Sequence, residues 1–303
     1  MSIRPVTDTR QAQPTLEGAG VHLHRAFGFD DPEAADPFLL FDDFRNDDPE
    51  RFRRGFPWHP HRGIETITYV LSGSVAHGDS LGNSGTLGAG DVQWMTAGSG
   101  ILHQEMPQGN TAGQMHGFQL WANLPSSLKM TAPRYQDVPA TEIPVVIDDD
   151  GTAVRVITGS FWGRRGPVDG IAADPLYLDV SVPPGVHKRL PVDTRRRAFA
   201  YVFEGDGRFA DAAAPSGVLL EKQVAGHEMH LRDLSGDRTL VRFGAGDEVT
   251  VRAGERGVRF LLVAGAPIRE PVAWHGPIVM NTQEEIRQAM RDLNNGTFIR
   301  ESG

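Results

Sequence analysis

The sequence predicts an all-β chain made of two related domains, and three observations carry that expectation. Short apolar runs rich in β-branched residues, bounded by Gly, Pro, Asn or Asp, recur along nearly the whole length, which is the pattern of strands joined by turns. A segment reading GAGDVQWMTAG at 88–98 returns as GAGDEVTVRAG at 244–254, and Tyr69-Val70 with Gly73 returns as Tyr201-Val202 with Gly205. The two halves therefore read as a duplicated β-domain with a longer loop in the second copy. Helical periodicity is confined to the C-terminus. There Thr282 and Glu285 fit a capping box, Ile286, Ala289, Met290 and Leu293 fall on one face, and Gly296 stands where a helix should stop, predicting a helix over 282–295.

Taken in order, the first twenty residues are polar and read as an extended arm. VHLHRAFGF alternates as a strand carrying His22 and His24; with no second ligand pair nearby in sequence, these read as strand-face or surface histidines. PFLLFDDF (37–44) is a short apolar strand ending in acids, followed by the charged loop RNDDPERFRR. The apolar runs at 64–71 and 92–95 flank a Gly-rich turn region and suit antiparallel strands folding back on each other. MHGFQLWANLP reads as a strand ending at Pro125, a proline-marked connection follows, and IDDDGTAV looks like a turn entering a new strand. The domain boundary is therefore expected near 140–150, giving an N-terminal domain over 1–140 and a C-terminal one over 141–303 with strands LYLDVSV, AFAYVFEG, VTVRAG and VRFLLVAG.

Composition narrows the chemistry. The chain has no cysteine, which removes disulfides, thiol catalysis and Cys-ligated zinc or iron–sulfur clusters, so any metal must sit on nitrogen and oxygen. A net charge of −9 argues against a general nucleic-acid surface. The runs Arg51, Arg53, Arg54 and Arg195, Arg196, Arg197 read as solvated faces. No stretch is long and apolar enough for a membrane span, and the N-terminus lacks the apolar segment of a secretion signal. A cytoplasmic protein, with no membrane or direct nucleic-acid partner and monomeric by default, is the expectation.

The stretch GFPWHPHRGIETITYVLSGSVAHGDSLGNSGTLGAGDVQWMTAGSGILHQE (55–105) carries two short pairs of ligand-type residues, His59 with His61 and His103 with Glu105. In an extended strand, side chains at i and i+2 share a face, so each pair can aim two donors at one point. In the duplicated half the equivalent positions hold Pro191 and Asp193, then Arg259 and Leu261, so the second domain lacks the ligands. The histidines left there, His187, His227 and His230, include an HEMH segment with helical spacing but no partner pair.

HPHRGIETITYVLSG, DSLGNSGTLGAGDVQWMTAGSGILHQE, FQLWANLP and REPVAWHGPIVMNTQEEI together resemble the pirins, members of the cupin superfamily, over nearly the full length. The resemblance implies a bicupin: two tandem double-stranded β-helix barrels facing each other, with iron in the N-terminal one only. It implies His59, His61, His103 and Glu105 as the metal ligands. The general cupin pattern would instead place the ligand carboxylate at Glu65, whose even offset from His61 gives it the same strand face; a bend at Gly63 would turn it aside to a supporting place behind the ligands. A basic residue frequent in the family is replaced here by Gly78, in a turn.

Three imidazoles and a carboxylate leave an octahedral metal with two adjacent open positions, the arrangement in which non-haem Fe(II) sites take a substrate and dioxygen side by side. Fe(II) is the first expectation, with Mn, Ni, Cu or Zn also accepted by such donors. The resemblance implies a quercetin 2,3-dioxygenase type of reaction on a flavonol-like aromatic, with Glu105 as general base and Glu65 in reserve. It also implies an alternative, an iron- and redox-dependent regulator that binds a protein partner, such as a transcription factor or metabolic enzyme, without turnover.

Overall fold

A computed structural model of the chain describes residues 2–29, 32–169, 172–209, 223–224, 227–228 and 234–300. Antiparallel strands dominate it, and its longest helix lies near the C-terminus. The segments that alternate or run apolar in the sequence form these strands, as the pleat requires of half-buried or fully buried sheet. Among the described residues no helix is long and apolar enough to cross a membrane.

The chain divides into two compact units whose segments interleave. One comprises residues 12–144, 156–175 and 265–303; the other comprises 1–11, 145–155 and 176–264. A change of unit at 144/145 lies in the expected boundary region, while both ends of the chain join the unit of the opposite half. The polar arm is divided as well. Val6–Gln11 pairs antiparallel with Thr239–Phe243 in the second unit, whereas Gln13–Glu17 pairs with Val21–Phe27 in the first. Arg4 anchors the arm, its buried guanidinium donating to the carbonyls of Asp193, Arg196 and Gly244.

In the first unit a seven-stranded sheet has the order Arg134–Val138, Val92–Thr96, Ile64–Ser72, His116–Asn123, Phe38–Asp43, Val21–Phe27 and Gln13–Glu17. A four-stranded sheet has the order Phe56–His61, Ile101–Gln108, Ser74–Asp79 and Ser84–Leu87. Leu23, Phe44 and Val70 of the larger sheet pack with Val75 and Leu87 of the smaller in one buried cluster, so the two sheets share a core. At Gly98 and Gly100 the backbone takes φ of 48° and 140°, values that glycine alone adopts without strain. This break after Thr96 lets the chain leave the larger sheet and enter the smaller one at Ile101.

The second unit is built on a nine-stranded sheet. VTVRAG and VRFLLVAG, expected as two strands, run on here as one strand, Glu248–Gly265. Its two halves keep different partners, His187–Pro191 for 248–252 and Leu176–Val182 for 258–264, and Gly257, at φ 80°, lies between them. The IDDDGTAV turn joins Val145–Ile147 to Ala153–Thr158, with the Lys188 ammonium donating to Asp148 and Asp150. Arg53 pairs with Glu50 and Arg195 with Asp193 on exposed surface.

The helix forms as expected over Gln283–Asn294, with a full capping box: Thr282 Oγ1 accepts from the Glu285 amide and the Glu285 carboxylate accepts from the Thr282 amide. Ile286 and Ala289 are buried against Ala273, Ile278, Met280 and Phe298, with Met290 and Leu293 partly buried on the same cluster.

Candidate metal centre

The two pairs expected as ligands, His59 with His61 and His103 with Glu105, lie on adjacent antiparallel strands of the four-stranded sheet. In the ladder His103 stands opposite His59 and Ile101 opposite His61, so all three histidines project from one face. Their rings meet at centroid separations of 4.4 to 4.9 Å. One ligand atom from each lies within 4.8 Å of the others, the sole such group among the described residues. The pairing register shifts between His103 and Glu105, where three residues of the His59 strand face two of the other, while the ladder to Ser74–Asp79 runs on regularly, so Glu105 keeps the face of His103 but lies outside the three-histidine group. Glu105 is buried and accepts a 2.9 Å hydrogen bond from the Thr68 hydroxyl.

The donor set fits a divalent cation. His59 Nδ1 lies 2.9 Å from the Pro57 carbonyl and His61 Nδ1 lies 3.2 Å from that of Pro277. A carbonyl only accepts, so both Nδ1 atoms carry the hydrogen and both Nε2 atoms present lone pairs. Those two Nε2 atoms face each other at 3.1 Å. Two lone pairs held that close repel unless a cation or a proton lies between them. Both ring nitrogens of His103 are buried with no hydrogen-bond partner, an arrangement costly for a polar side chain that binds nothing. Carbonyl-anchored imidazoles are the usual outer support of a metal site.

Electrostatics agree. Burial holds His59 below the ordinary histidine range and, with repulsion from the neighbouring rings, holds His61 and His103 well below it, so all three are the neutral ligands a metal needs. Burial pushes Glu105 up to about 7 against the hydrogen bond from Thr68, and a cation nearby would draw it down again.

His59, His61 and Glu105 open onto a cavity of about 370 Å³, entirely within the first unit. Leu40, Phe44, Phe56 and Trp121 give it apolar walls, and Thr68, Gln119, Asp42 and Arg25 add polar groups. Glu65 is not among the lining residues. Gly63, at φ 78°, turns the chain so that His61 ends one sheet and Glu65 begins a strand of the other; its carboxylate accepts from the Thr96 hydroxyl at 2.8 Å, and burial pushes it up to about 7. A Cβ at Gly63 would collide with the Val279 carbonyl, which makes this bend specific to glycine. His22 is exposed and His24 half-buried, and neither joins the triad. His187 is exposed at a strand end; His227 and Glu228 form a two-residue strand, and Met229 and His230 fall outside the described residues.

Residue-by-residue reading passed over Thr68, Gln119, Asp42 and Arg25. A signal was present for two of them: Asp42 falls in step with Leu40 and Phe44, and Gln119 with Trp121, each a polar side chain at an inward position of its strand.

A β-sheet core enclosing an imidazole-lined cavity defines a cupin-type protein with a candidate metal centre. The chain matches the family model for Pirin over residues 20–122 and that for the Pirin C-terminal cupin domain over 177–299. It is 44% identical to a pirin-like protein of Caulobacter vibrioides over 98% of this chain and 100% of that one, and 40% identical to pirin of Homo sapiens over 97% and 93%. Among solved structures it resembles a quercetin 2,3-dioxygenase from Acinetobacter baumannii, with a TM-score of 0.84, 31% identity and coverage of 98% and 99%. The chain belongs to the pirin family and has its bicupin fold.

Proposed function

We propose that this protein is a metal-dependent dioxygenase acting on flavonol-like aromatics, with His59, His61, His103 and Glu105 as metal ligands. The observation that carries the reading is the convergence of three imidazoles, two with their Nδ1 hydrogens committed to carbonyls, beside an apolar-walled cavity onto which His59, His61 and the buried Glu105 carboxylate open. Likeness to the Acinetobacter baumannii quercetin 2,3-dioxygenase supports the substrate class. Bound there, Fe(II), or Mn, Ni, Cu or Zn in its place, supplies a Lewis-acid centre, redox-active for iron, open to a chelating hydroxy-ketone and to dioxygen.

The remaining work belongs to the chain. The carbonyls of Pro57 and Pro277 fix which nitrogens face inward. Trp121, Phe56 and Leu40 offer flat apolar surface to an aromatic ring system and keep bulk water away. Glu105 lines the cavity beside the triad, with Thr68 fixing its carboxylate, and accepts the proton of the substrate hydroxyl as general base. Glu65, held by Thr96 and absent from the cavity wall, stays out of that step.

The test loads the full-length protein with Fe(II) under anaerobic conditions, adds a flavonol, then admits oxygen while uptake and ring-opened product are measured. Uptake matched by product, and its loss in Glu105→Gln, is expected. If the loaded protein consumes no oxygen with any flavonol, yet its affinity for a protein partner follows the oxidation state of iron, the regulatory reading replaces the enzymatic one.

A further inference from the structure

The cavity has a second polar end, built by register. On the seven-stranded sheet Thr68 stands opposite Gln119, Gln119 opposite Asp42, and Asp42 opposite Arg25. Residues directly opposite in antiparallel strands point to the same face. These four therefore form a polar row across four strands, all lining the cavity. The row starts at Glu105, which takes a hydrogen bond from Thr68, and Thr68 in turn lies 2.8 Å from the Gln119 side-chain amide. It ends at Arg25, whose Nε and Nη2 donate to the two Asp42 oxygens at 2.8 Å each and whose Nη1 meets Glu17 at 2.8 Å.

This end is more than a structural ion pair. Asp42 is only 4% exposed, yet it sits on the wall of a cavity. The bidentate bond from Arg25 occupies one lone pair on each carboxylate oxygen, and a carboxylate has two on each. The guanidinium likewise has five N–H groups, of which three are committed in these contacts. Arg25 also lies over the Phe29 ring at 5.2 Å, which keeps its plane fixed at the cavity wall. With two carboxylates around one guanidinium, the patch is net negative and favours ligands that donate hydrogen bonds. Between it and the triad Thr68 and Gln119 continue the polar row, and the apolar side chains of Leu40, Phe44, Phe56 and Trp121 line the same cavity. The cavity thus offers a chelating end at the histidines and an acceptor-rich end at Asp42, with a lining of apolar side chains and one polar row between them.

We propose that Asp42, held by Arg25, is the specificity-determining residue for the substrate ring remote from the metal, accepting hydrogen bonds from that ring's hydroxyl groups. The proposal rests on the flavonol reading given above and adds which flavonols the site prefers: those carrying a catechol or phenol on the far ring, over those with an unsubstituted phenyl.

The probes are quercetin and galangin, which lacks the catechol hydroxyls of quercetin. Affinities for the full-length, metal-loaded protein are measured without oxygen, by quenching of tryptophan fluorescence and by the flavonol absorption band. The wild type is expected to bind quercetin at least tenfold more tightly than galangin, equivalent to about 1.4 kcal/mol. Asp42→Asn should lose most of that preference through weaker quercetin binding, with galangin affinity unchanged. Because Asp42→Asn leaves Arg25 short of a partner and the fold at risk, the paired replacement Arg25→Met with Asp42→Leu serves as a second variant. It removes both charges together and should bind galangin at least as well as quercetin. Equal affinities in the wild type, or a preference that survives in the paired variant, overturns the subsite while leaving the flavonol reading intact. Failure of the wild type to bind either flavonol overturns both.

Discussion

The carbonyl of Pro277 stands 3.2 Å from Nδ1 of His61, so a residue near the end of the chain fixes the tautomer of a histidine of the candidate metal centre near its beginning. The contact is braced on both sides. Arg62 donates to the Ser99 and Phe298 carbonyls and to Asp292 of the C-terminal helix, and Lys129 donates to the carbonyls of Gly63 and Val279 and to Asn123. The turn after His61 is thus clamped to the segment that carries Pro277. Asp292→Ala should loosen that clamp and weaken metal binding about tenfold, the low end of what loss of outer-shell support costs, as read by competition with a chelator. An unchanged metal affinity beside a lowered melting temperature would reduce the segment to a stabilising role.

One metal per chain is expected, in the first unit. Elemental analysis of His59→Ala or His103→Ala should show little metal, whereas His227→Ala should keep it. Metal retained in the first two variants, or lost in the third, would refute the ligand assignment.

The helix face gives a prediction about stability. Ile286 is 5% exposed and packs on Ile278, Met280 and Phe298. Ile286→Ala should cost about 2–5 kcal/mol, the usual range for such a truncation in a core, as read from the denaturant midpoint with the slope unchanged. Since Ile278 adjoins Pro277, the variant should also bind metal less tightly; wild-type stability would mean that the helix does not dock.

What the sequence makes legible here is local and periodic. The strands around the candidate site follow from apolar runs bounded by turn residues, the helix from its capping box, and the shared face of His59 and His61 from i, i+2 spacing along a strand. What it conceals is set by register and by long-range closure. Nothing near Thr68 announces that Gln119, Asp42 and Arg25 will line up with it, because the pairing of distant strands sets that row. Glu65 has the right parity to join His61, and a single glycine with φ 78° at position 63 sends it to the other sheet. The exchange of chain ends between the units is equally invisible locally, since an extended polar arm reads the same wherever it pairs.

Glu65 supports a prediction about pH. Burial raises its carboxyl to about 7 in the folded protein, while in the unfolded chain it titrates near 4.3. The folded state thus holds a proton that the unfolded state has released. Stability falls as pH rises from about 4.3 to 7 and is level above that. Glu65→Gln removes the ionisation and can keep the hydrogen bond with Thr96. In metal-free protein it should be more stable than wild type by a few kcal/mol at pH 8, since each tenfold difference in proton affinity between the two states is worth about 1.4 kcal/mol. The difference should vanish below pH ~4, where both states hold the proton. A difference independent of pH would show that Glu65 is not held protonated.

Thr68 offers the sharpest separation between holding a ligand and filling space. Its hydroxyl stands between the Glu105 carboxylate at 2.9 Å and the Gln119 side-chain amide at 2.8 Å. One hydroxyl hydrogen cannot serve two acceptors. With Glu105 ionised, the hydrogen goes to the carboxylate and the Gln119 amide turns its NH₂ toward the Thr68 oxygen. Thr68→Val keeps the shape and removes both bonds. The buried carboxylate then lacks its donor, a loss of about 1.5–3 kcal/mol for a bond to a charged group. Glu105 should swing more freely, and metal affinity should drop about tenfold or more, in line with other outer-shell losses. Thr68→Ser retains the hydroxyl and should restore most of the affinity. Chelator competition on the parent and both variants decides it: if valine and serine weaken binding equally, the side chain acts through packing, and Glu105 does not depend on Thr68 for its place on the cavity wall.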